Sequence, residues 1–165
     1  MSTTTVFTPE AQAWIGRSQT FAAYAVTAVD IAKYCHVMGF TDPVSLDVHA
    51  ARAAGHPDLL APVGYHMVIR HAVPNVLPLE ELAADGGSPD MTPPSTTSRR
   101  MAGATHIELR GAIHVGDEIT LTKSIAAVEE KVGRSGPLGF VTYALDFRNQ
   151  HGETVVHETY VRILR

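Results

Sequence analysis

Aspartate and histidine side chains that lie close together in the sequence offer the clearest acid–base chemistry of this chain. Asp42, Asp47 and His49 fall within one short stretch, and His66 lies at the start of a strongly apolar segment. A carboxylate beside an imidazole is the usual way to tune a histidine for proton transfer. Asp42 can instead cap a helix before its proline, His49 can be a surface residue, and His66 can pack in a core or an interface. We therefore treat Asp47, His49 and His66 as candidate proton-transfer residues, with these structural roles as the alternative.

Arginine and lysine side chains are concentrated at residues 99–100 and 131–134, where Arg134 lies in a glycine-rich turn. Guanidinium groups bind phosphate oxygens in a bidentate manner, so Arg134 is a candidate for holding a substrate phosphate, with a solvated loop as the alternative. The nine histidines show no His-x₃-His spacing, and the single cysteine, Cys35, rules out a Cys-x₂-Cys site. We therefore predict no metal and no cofactor.

Helix signals surround the candidate acids in the first half of the chain. Thr27 and Asp30 have the spacing of a capping box, apolar residues follow at helical intervals, and Gly39 is suited to end the helix. An apolar run over residues 21–26 favours a strand before this helix. A loop around Pro43 and a short helix over residues 47–54 are expected after it.

A second apolar segment and a series of strands predict the fold. Residues 63–73 are apolar on both faces and lie between Pro62 and Pro74, which predicts a largely buried central helix. Residues 78–98 are rich in Gly, Pro, Ser and Thr and are predicted to be a mobile loop. Alternating strands are predicted at residues 104–111, 118–128, 138–147 and 154–163. This pattern indicates an α+β fold with the antiparallel sheet wrapped around the central helix, an arrangement found in the hot-dog fold, and it leaves other α+β packings open.

A series of short motifs runs along the chain. WIGR opens at residue 14, YAVTAVDIAKY at 24, DP at 42, ARAAG at 51 and LAP at 60; RRMAG, VGDE and KVGRSGPL follow at 99, 115 and 131. The first half resembles the N-terminal half of the MaoC-like dehydratase superfamily, also called the FAS1-like dehydratase domain. The opening WIGR and the second half are similar to type 2 hydroxyacyl-thioester dehydratases and mesaconyl-CoA hydratases. The resemblance runs from about Trp14 to Arg165.

The resemblance implies a hot-dog domain that binds an acyl group carried on coenzyme A or acyl carrier protein. The implied reaction is reversible addition of water to a 2-enoyl thioester. In catalytic members an Asp-x-Asn-Pro-x-His run supplies the acid–base pair, and here that run falls on FTDPVS, where Phe40, Asp42 and Ser45 stand in its place. Phenylalanine exchanges no proton, and an unactivated serine is not a general base at neutral pH.

The departure from the motif shapes the functional expectation. The Ala-His-Gly run that forms part of the oxyanion site in the family falls on residues 61–63, and the resemblance implies that Val63, Gly64 and Arg134 contact the substrate. The leading interpretation is the non-catalytic half of a heteromeric hydratase/dehydratase, whose partner carries the acid and base. The alternatives are a self-sufficient hydratase or thioesterase with a displaced pair, and a catalytically silent acyl-thioester binding module.

Length and composition set broad limits. The 165 residues fit one domain, 17–165, after an N-terminal extension over residues 1–16. The net charge of −4 does not indicate a basic surface for binding nucleic acid, and no apolar run approaches the length of a membrane span. A reduced, cytoplasmic protein is expected. A hot-dog sheet leaves an open edge, so we also expect a homodimer or a catalytic partner, paired through the strand over residues 154–163 or a neighbouring strand.

Overall fold

The computed structural model describes residues 5–73, 78–82, 91–134 and 136–165. Within these ranges the chain forms one antiparallel sheet of six strands, preceded and interrupted by short helices. The strands are β1 (Ser18–Thr20), β2 (Tyr24–Ala25), β3 (Arg100–Leu109), β4 (Glu118–Gly133), β5 (Gly136–Arg148) and β6 (Thr154–Leu164). The helices are α1 (Ala28–Met38), α2 (Pro43–Leu46), α3 (Val48–Ala53) and α4 (His66–Ala72).

The capping signals in the first half place the helices correctly. The Thr27 hydroxyl accepts the backbone N–H of Asp30 at 3.1 Å, and Gly39 ends α1 in the left-handed conformation at φ 74°. The predictions for α1 and for the short helix that became α3 are confirmed. Of the strand expected over residues 21–26, only Tyr24–Ala25 form a strand, β2; β1 ends at Thr20, before the predicted range, and both strands pair with β4.

The sheet has the strand order β1-β4-β5-β6-β3, with β2 also paired to β4. The four long strands predicted from alternation are confirmed, and β4 and β5 extend further than expected, to Gly133 and Gly136. β6 pairs with β5 on one side and β3 on the other. Among the described residues β3 is therefore an outer strand, and β6 cannot offer a free edge.

The central helix begins later than its sequence predicts, and the prediction of a helix from residue 63 is wrong. Gly64 has a φ of +89°, which is incompatible with a right-handed helix, and the Tyr65 N–H closes a short turn by donating to the carbonyl of Pro62. The proline bracket therefore marks a turn followed by α4, rather than one continuous helix.

The expectation of a largely buried helix holds for one face of α4. His66 and Ile69 are buried against the sheet, and the His66 ring meets the Phe147 ring edge-on at 5.5 Å. Val63 is 70% exposed, and Met67 is half-buried. One face of α4 therefore packs in the core, and the other face is partly exposed although it also carries apolar side chains.

The residues before β1 complete the core of the sheet. Val6, Phe7 and Ala11 are buried, the last in a 3-10 helix over Pro9–Trp14. A Cβ atom on Gly139 of β5 would lie 2.7 Å from the side chains of both Val6 and Phe7. This close approach requires glycine at position 139 and fixes the N-terminal segment across β5.

The segment predicted to be mobile is described in part. Leu79–Glu81 form a 3-10 helix, and Ser95 makes an antiparallel bridge with Phe7. Residues 83–90 lie outside the described residues. The mobility of this segment stays a prediction.

Candidate functional site

The positions that align with the acid–base motif carry structural contacts. The ring of Phe40 stacks on Tyr34, with centroids 6.0 Å apart. The Asp42 carboxylate caps α2 by accepting the Val44 N–H at 3.1 Å. The buried Ser45 hydroxyl donates to the carbonyl of Leu60 at 2.7 Å. None of these three side chains is placed to act as a general acid or base.

The displaced pair Asp47 and His49 is joined through the main chain. The Asp47 carboxylate accepts the backbone N–H of His49 at 2.9 Å and thereby caps α3. Both side chains are exposed. This contact caps α3 and does not involve the imidazole ring of His49.

An apolar groove lies at the turn that precedes α4. It encloses about 240 Å³ and is lined by residues 60–66, Leu109, residues 111–113 and Val156. Its two walls are held together by main-chain contacts, since the Ala61 N–H donates to the carbonyl of Ile113 at 2.8 Å. Mostly apolar walls with few polar groups are typical of small-molecule sites. The groove therefore includes Val63 and Gly64, the two residues for which substrate contact is expected.

Gly64 is required by the shape of this groove. A Cβ atom there would lie 2.6 Å from the Tyr34 hydroxyl, and the positive φ already disfavours other residues. The same hydroxyl donates to the Val63 carbonyl at 3.4 Å. The turn therefore presents its main chain to the groove with no side chain at position 64.

A buried ionic cluster lies beneath one end of the groove. The fully buried Glu158 of β6 accepts a short hydrogen bond through Oε1 from the Arg70 guanidinium of α4. Its other oxygen, Oε2, lies 4.0 Å from His66 Nε2. Among the residues that the structure describes, neither Oε2 nor Nε2 has a hydrogen-bond partner. Buried polar atoms without partners are rare, so this pair is a candidate ligand-binding feature.

Burial controls the protonation of this cluster. It lowers the pKa of His66, and the neighbouring Arg70 lowers it further. Burial raises the pKa of Glu158 above its usual range, against the opposing influence of the Arg70 charge. A neutral His66 imidazole follows from these directions near neutral pH.

A pair of histidines, which the sequence analysis missed, lies beside the groove. His56 Nδ1 is 3.1 Å from His114 Nε2, although the two residues are 58 positions apart. The Asp117 carboxylate accepts the backbone N–H of His114 at 2.7 Å, and burial lowers the pKa of His114. His114 also bridges to Leu60, which lines the groove. No local motif could have revealed this contact.

Arg134 lies far from the groove. It is exposed in the turn between β4 and β5, beyond the pairing of Gly139 with Leu164, whereas Val156 pairs with Phe147 at the other end of the strands. At about 3.3 Å per residue, these ends are separated by a distance on the order of 30 Å. The structure therefore does not bring Arg134 together with Val63 and Gly64, and its role in phosphate binding stays a prediction.

A family model described as the FAS1-like dehydratase domain region matches residues 13–158. The chain belongs to this family. A UPF0336 protein of Leifsonia xyli is 28% identical to this FAS1-like dehydratase domain over 139 residues, covering 84% of the chain and 86% of the relative. A protein of Thermomonospora curvata, named probable enoyl-CoA hydratase alpha subunit, is 28% identical over 170 residues. That alignment covers 93% of this chain and 50% of the relative, so the chain spans half the length of the Thermomonospora protein.

Solved structures establish the fold of this FAS1-like dehydratase domain. The MaoC-like dehydratase of Rhodospirillum rubrum superimposes with a TM-score of 0.66 at 23% identity, covering 91% of both chains. A chain of the ChsH1–ChsH2 complex of Mycobacterium tuberculosis gives a TM-score of 0.66 at 17% identity, covering 93% of this chain and 90% of that one. The predicted hot-dog fold, with its curled antiparallel sheet, is confirmed.

Two further observations bear on the surroundings of the site. In the described ranges, no three or more His, Cys, Asp or Glu residues are grouped so as to hold a metal ion. The helices of the same ranges are too short or too polar to cross a bilayer.

Proposed function

We propose that this chain is the non-catalytic subunit of a heteromeric hydratase/dehydratase that acts on 2-enoyl and 3-hydroxyacyl thioesters of coenzyme A or acyl carrier protein. In this proposal the chain forms part of the acyl-binding surface, and a catalytic partner with the same fold supplies the general acid and base. The proposal includes a cytoplasmic location, as expected from a chain with one cysteine, Cys35, which is buried.

The replacement of the acid–base motif carries the proposal. Phe40 and Ser45 stand where the family places a proton-transferring acid and a histidine, and both side chains are held in contacts with the chain itself. General acid–base catalysis typically contributes about 10²–10⁴-fold to a rate, so losing both groups removes most of the expected activity. A groove is present beside Val63 and Gly64, which supports binding without chemistry.

The relatives favour a two-part enzyme. The Thermomonospora relative is named as a subunit, and this chain aligns with half of its length. The ChsH1–ChsH2 structure is a complex of two proteins. A second hot-dog unit would supply what this chain lacks.

The outer strand β3 offers the surface for such a partner. Its side chains are largely exposed, including Met101, Ile107 and Leu109, which are 42%, 41% and 54% exposed. Unpaired main-chain groups on an outer strand are a template for strand pairing. We infer that the partner pairs along β3 and buries on the order of 2,000 Å² or more, as obligate interfaces do.

The His56–His114 pair favours a second candidate, a self-sufficient hydratase. Two hydrogen-bonded imidazoles beside the groove can hold and transfer one proton. This candidate requires activity in the isolated chain, whereas the leading proposal requires its absence.

Hydration assays of the isolated chain and of its complex separate these functions. The chain alone is expected to give no hydration of crotonyl-CoA above background. Adding a hot-dog protein from the same host, with an intact Asp-x-Asn-Pro-x-His motif, should give activity that neither chain has alone. Turnover by the isolated chain that is lost in His114→Ala, and kept in the matched surface variant His49→Ala, would establish the second candidate and overturn the first. Thioester binding with no activating partner would leave a silent binding module.

A further inference from the structure

The buried pair His66 and Glu158 is the strongest unexplained feature of the molecule. Both side chains are nearly or fully inaccessible, at 3% and 0% exposure. His66 Nε2 and Glu158 Oε2 face each other at 4.0 Å, beyond hydrogen-bond distance, and the described part of the chain offers neither atom another hydrogen-bond partner. A buried polar atom without a partner costs about 1–3 kcal/mol, and the neighbouring Tyr65 hydroxyl is a third such atom, so this group requires a reason.

The spacing of the two atoms suits a single bridging oxygen. An oxygen atom bonded to each at about 2.8 Å would make an angle of about 90° between them. A neutral imidazole nitrogen either donates or accepts, and a carboxyl oxygen accepts when ionised and can donate when protonated. A hydroxyl group both donates and accepts, so it satisfies the pair in either arrangement of protons.

The pair lies where the groove ends. His66 lines the groove, and so does Val156, which is two positions before Glu158 on β6. Residues two apart on a strand share a face, so Glu158 lies on the same side of β6 as Val156, just beyond the groove lining. Arg70 holds Glu158 Oε1 and leaves Oε2 directed at His66. An acyl chain that extends past the groove lining between α4 and β6 would therefore meet this pair.

We propose that His66 Nε2 and Glu158 Oε2 together bind a hydroxyl group on the acyl chain of the thioester, which makes them specificity-determining residues for hydroxylated substrates. This inference rests on the proposed function, because it requires an acyl thioester in the groove. Arg70 acts as a positioning residue for Glu158. The apolar wall accepts the hydrocarbon part, and the pair discriminates against acyl chains that offer no hydroxyl.

The test compares thioesters that differ only in a hydroxyl group. Calorimetry would measure the affinity of the full chain for octanoyl-CoA, 3-hydroxyoctanoyl-CoA and 8-hydroxyoctanoyl-CoA. One hydroxylated ligand should bind about tenfold more tightly than octanoyl-CoA, the effect expected of a hydrogen bond that is otherwise left unmade. The position of the preferred hydroxyl tells which part of the acyl chain lies at the pair.

Variants identify the residues responsible. His66→Phe keeps the aromatic contact with Phe147 and removes Nε2. The variant should still bind octanoyl-CoA, but it should bind the hydroxylated thioester no more tightly than octanoyl-CoA. The surface variant His36→Phe is the matched control and should keep the preference. Glu158→Gln preserves the shape of the side chain and should also weaken the preference, which keeps the test decisive if His66→Phe folds poorly.

The outcomes separate this inference from the proposed function. Equal affinity of the wild-type chain for all three ligands, or a preference that survives in His66→Phe, overturns the hydroxyl site and leaves acyl-thioester binding intact. Failure of all three thioesters to bind both the chain alone and its complex with the hot-dog partner contradicts the proposed function and the hydroxyl site together.

Discussion

Two regions of this molecule differ in whether their polar side chains have hydrogen-bond partners. Around residues 40–49 the acids are exposed and their oxygens are used by the main chain, as in the caps made by Asp42 and Asp47. Between α4 and β6, Glu158 and His66 are buried and each keeps a polar atom without a partner. Hydrogen bonds that are complete indicate structure, whereas buried groups with unused capacity indicate a place for a ligand. The acids of residues 40–49, which the sequence marks as a candidate site, are therefore less available to a ligand than the buried pair.

Removing Arg70 should break the buried region most severely. Arg70→Met leaves the Glu158 carboxylate buried without its counter-charge, which is expected to lower the free energy of unfolding by about 3–5 kcal/mol. Urea denaturation measures this loss. Lys33→Met is the control, because the Lys33–Asp30 ion pair is exposed and worth at most about 1 kcal/mol. Equal losses in the two variants would show that the buried pair holds no more energy than a surface pair.

Removing the cap at Asp47 should have a smaller effect, confined to stability. Asp47→Ala loses the bond to the His49 N–H and should cost about 1 kcal/mol, the usual value for an N-cap. Octanoyl-CoA affinity measured by calorimetry should be unchanged. A tenfold loss of affinity with normal stability would contradict the structural role and revive Asp47 and His49 as a displaced pair.

The smallest expected effect is a pH dependence of stability. Because the folded chain lowers the pKa of His66, the unfolded chain takes up a proton first, near its ordinary pKa of about 6.5. The melting temperature should therefore fall as the pH drops from about 7.5 to about 5.5. The raised pKa of Glu158 acts in the opposite direction and reduces this slope.

His66→Phe provides the check on that slope. It should flatten the fall in melting temperature, whereas His36→Phe should leave it as in the wild-type chain. A residual slope is expected in His66→Phe, since burial also lowers the pKa of His114. Identical slopes in the wild type and in His66→Phe would mean that His66 takes up its proton equally in both states.

Local patterns predicted the fold well because local interactions determine its elements. Thr27 and Gly39 set the ends of α1 through contacts within one helical turn, and alternation marked the four long strands. The helix was predicted to begin at residue 63, but Gly64 adopts a left-handed conformation beside the distant Tyr34 hydroxyl, a contact that local periodicity does not record. The same residues, in a different backbone conformation, would satisfy the helical pattern.

The candidate substrate-binding residues fall in two separate places. Val63 and Gly64 line the groove, whereas Arg134 lies at the other end of the sheet, and substrate contact by all three stays a prediction. Glu158 looks like an ordinary polar residue of an alternating strand, because its partner Arg70 is 88 positions away. Burial of a carboxylate is decided by such distant contacts, and a sequence pattern does not record them.

The packing of Val6 and Phe7 across Gly139 has a consequence for how the chain acquires its structure. Phe7 donates its N–H to Glu130, 123 positions later, so this contact closes a very long loop. During synthesis residues 6 and 7 leave the ribosome well before the β4–β5 hairpin exists, and their apolar side chains have no surface to cover until then. Contacts of such high sequence separation form slowly. The N-terminal segment is therefore expected to dock late. Until it docks, its apolar side chains stay exposed and are a binding site for chaperones.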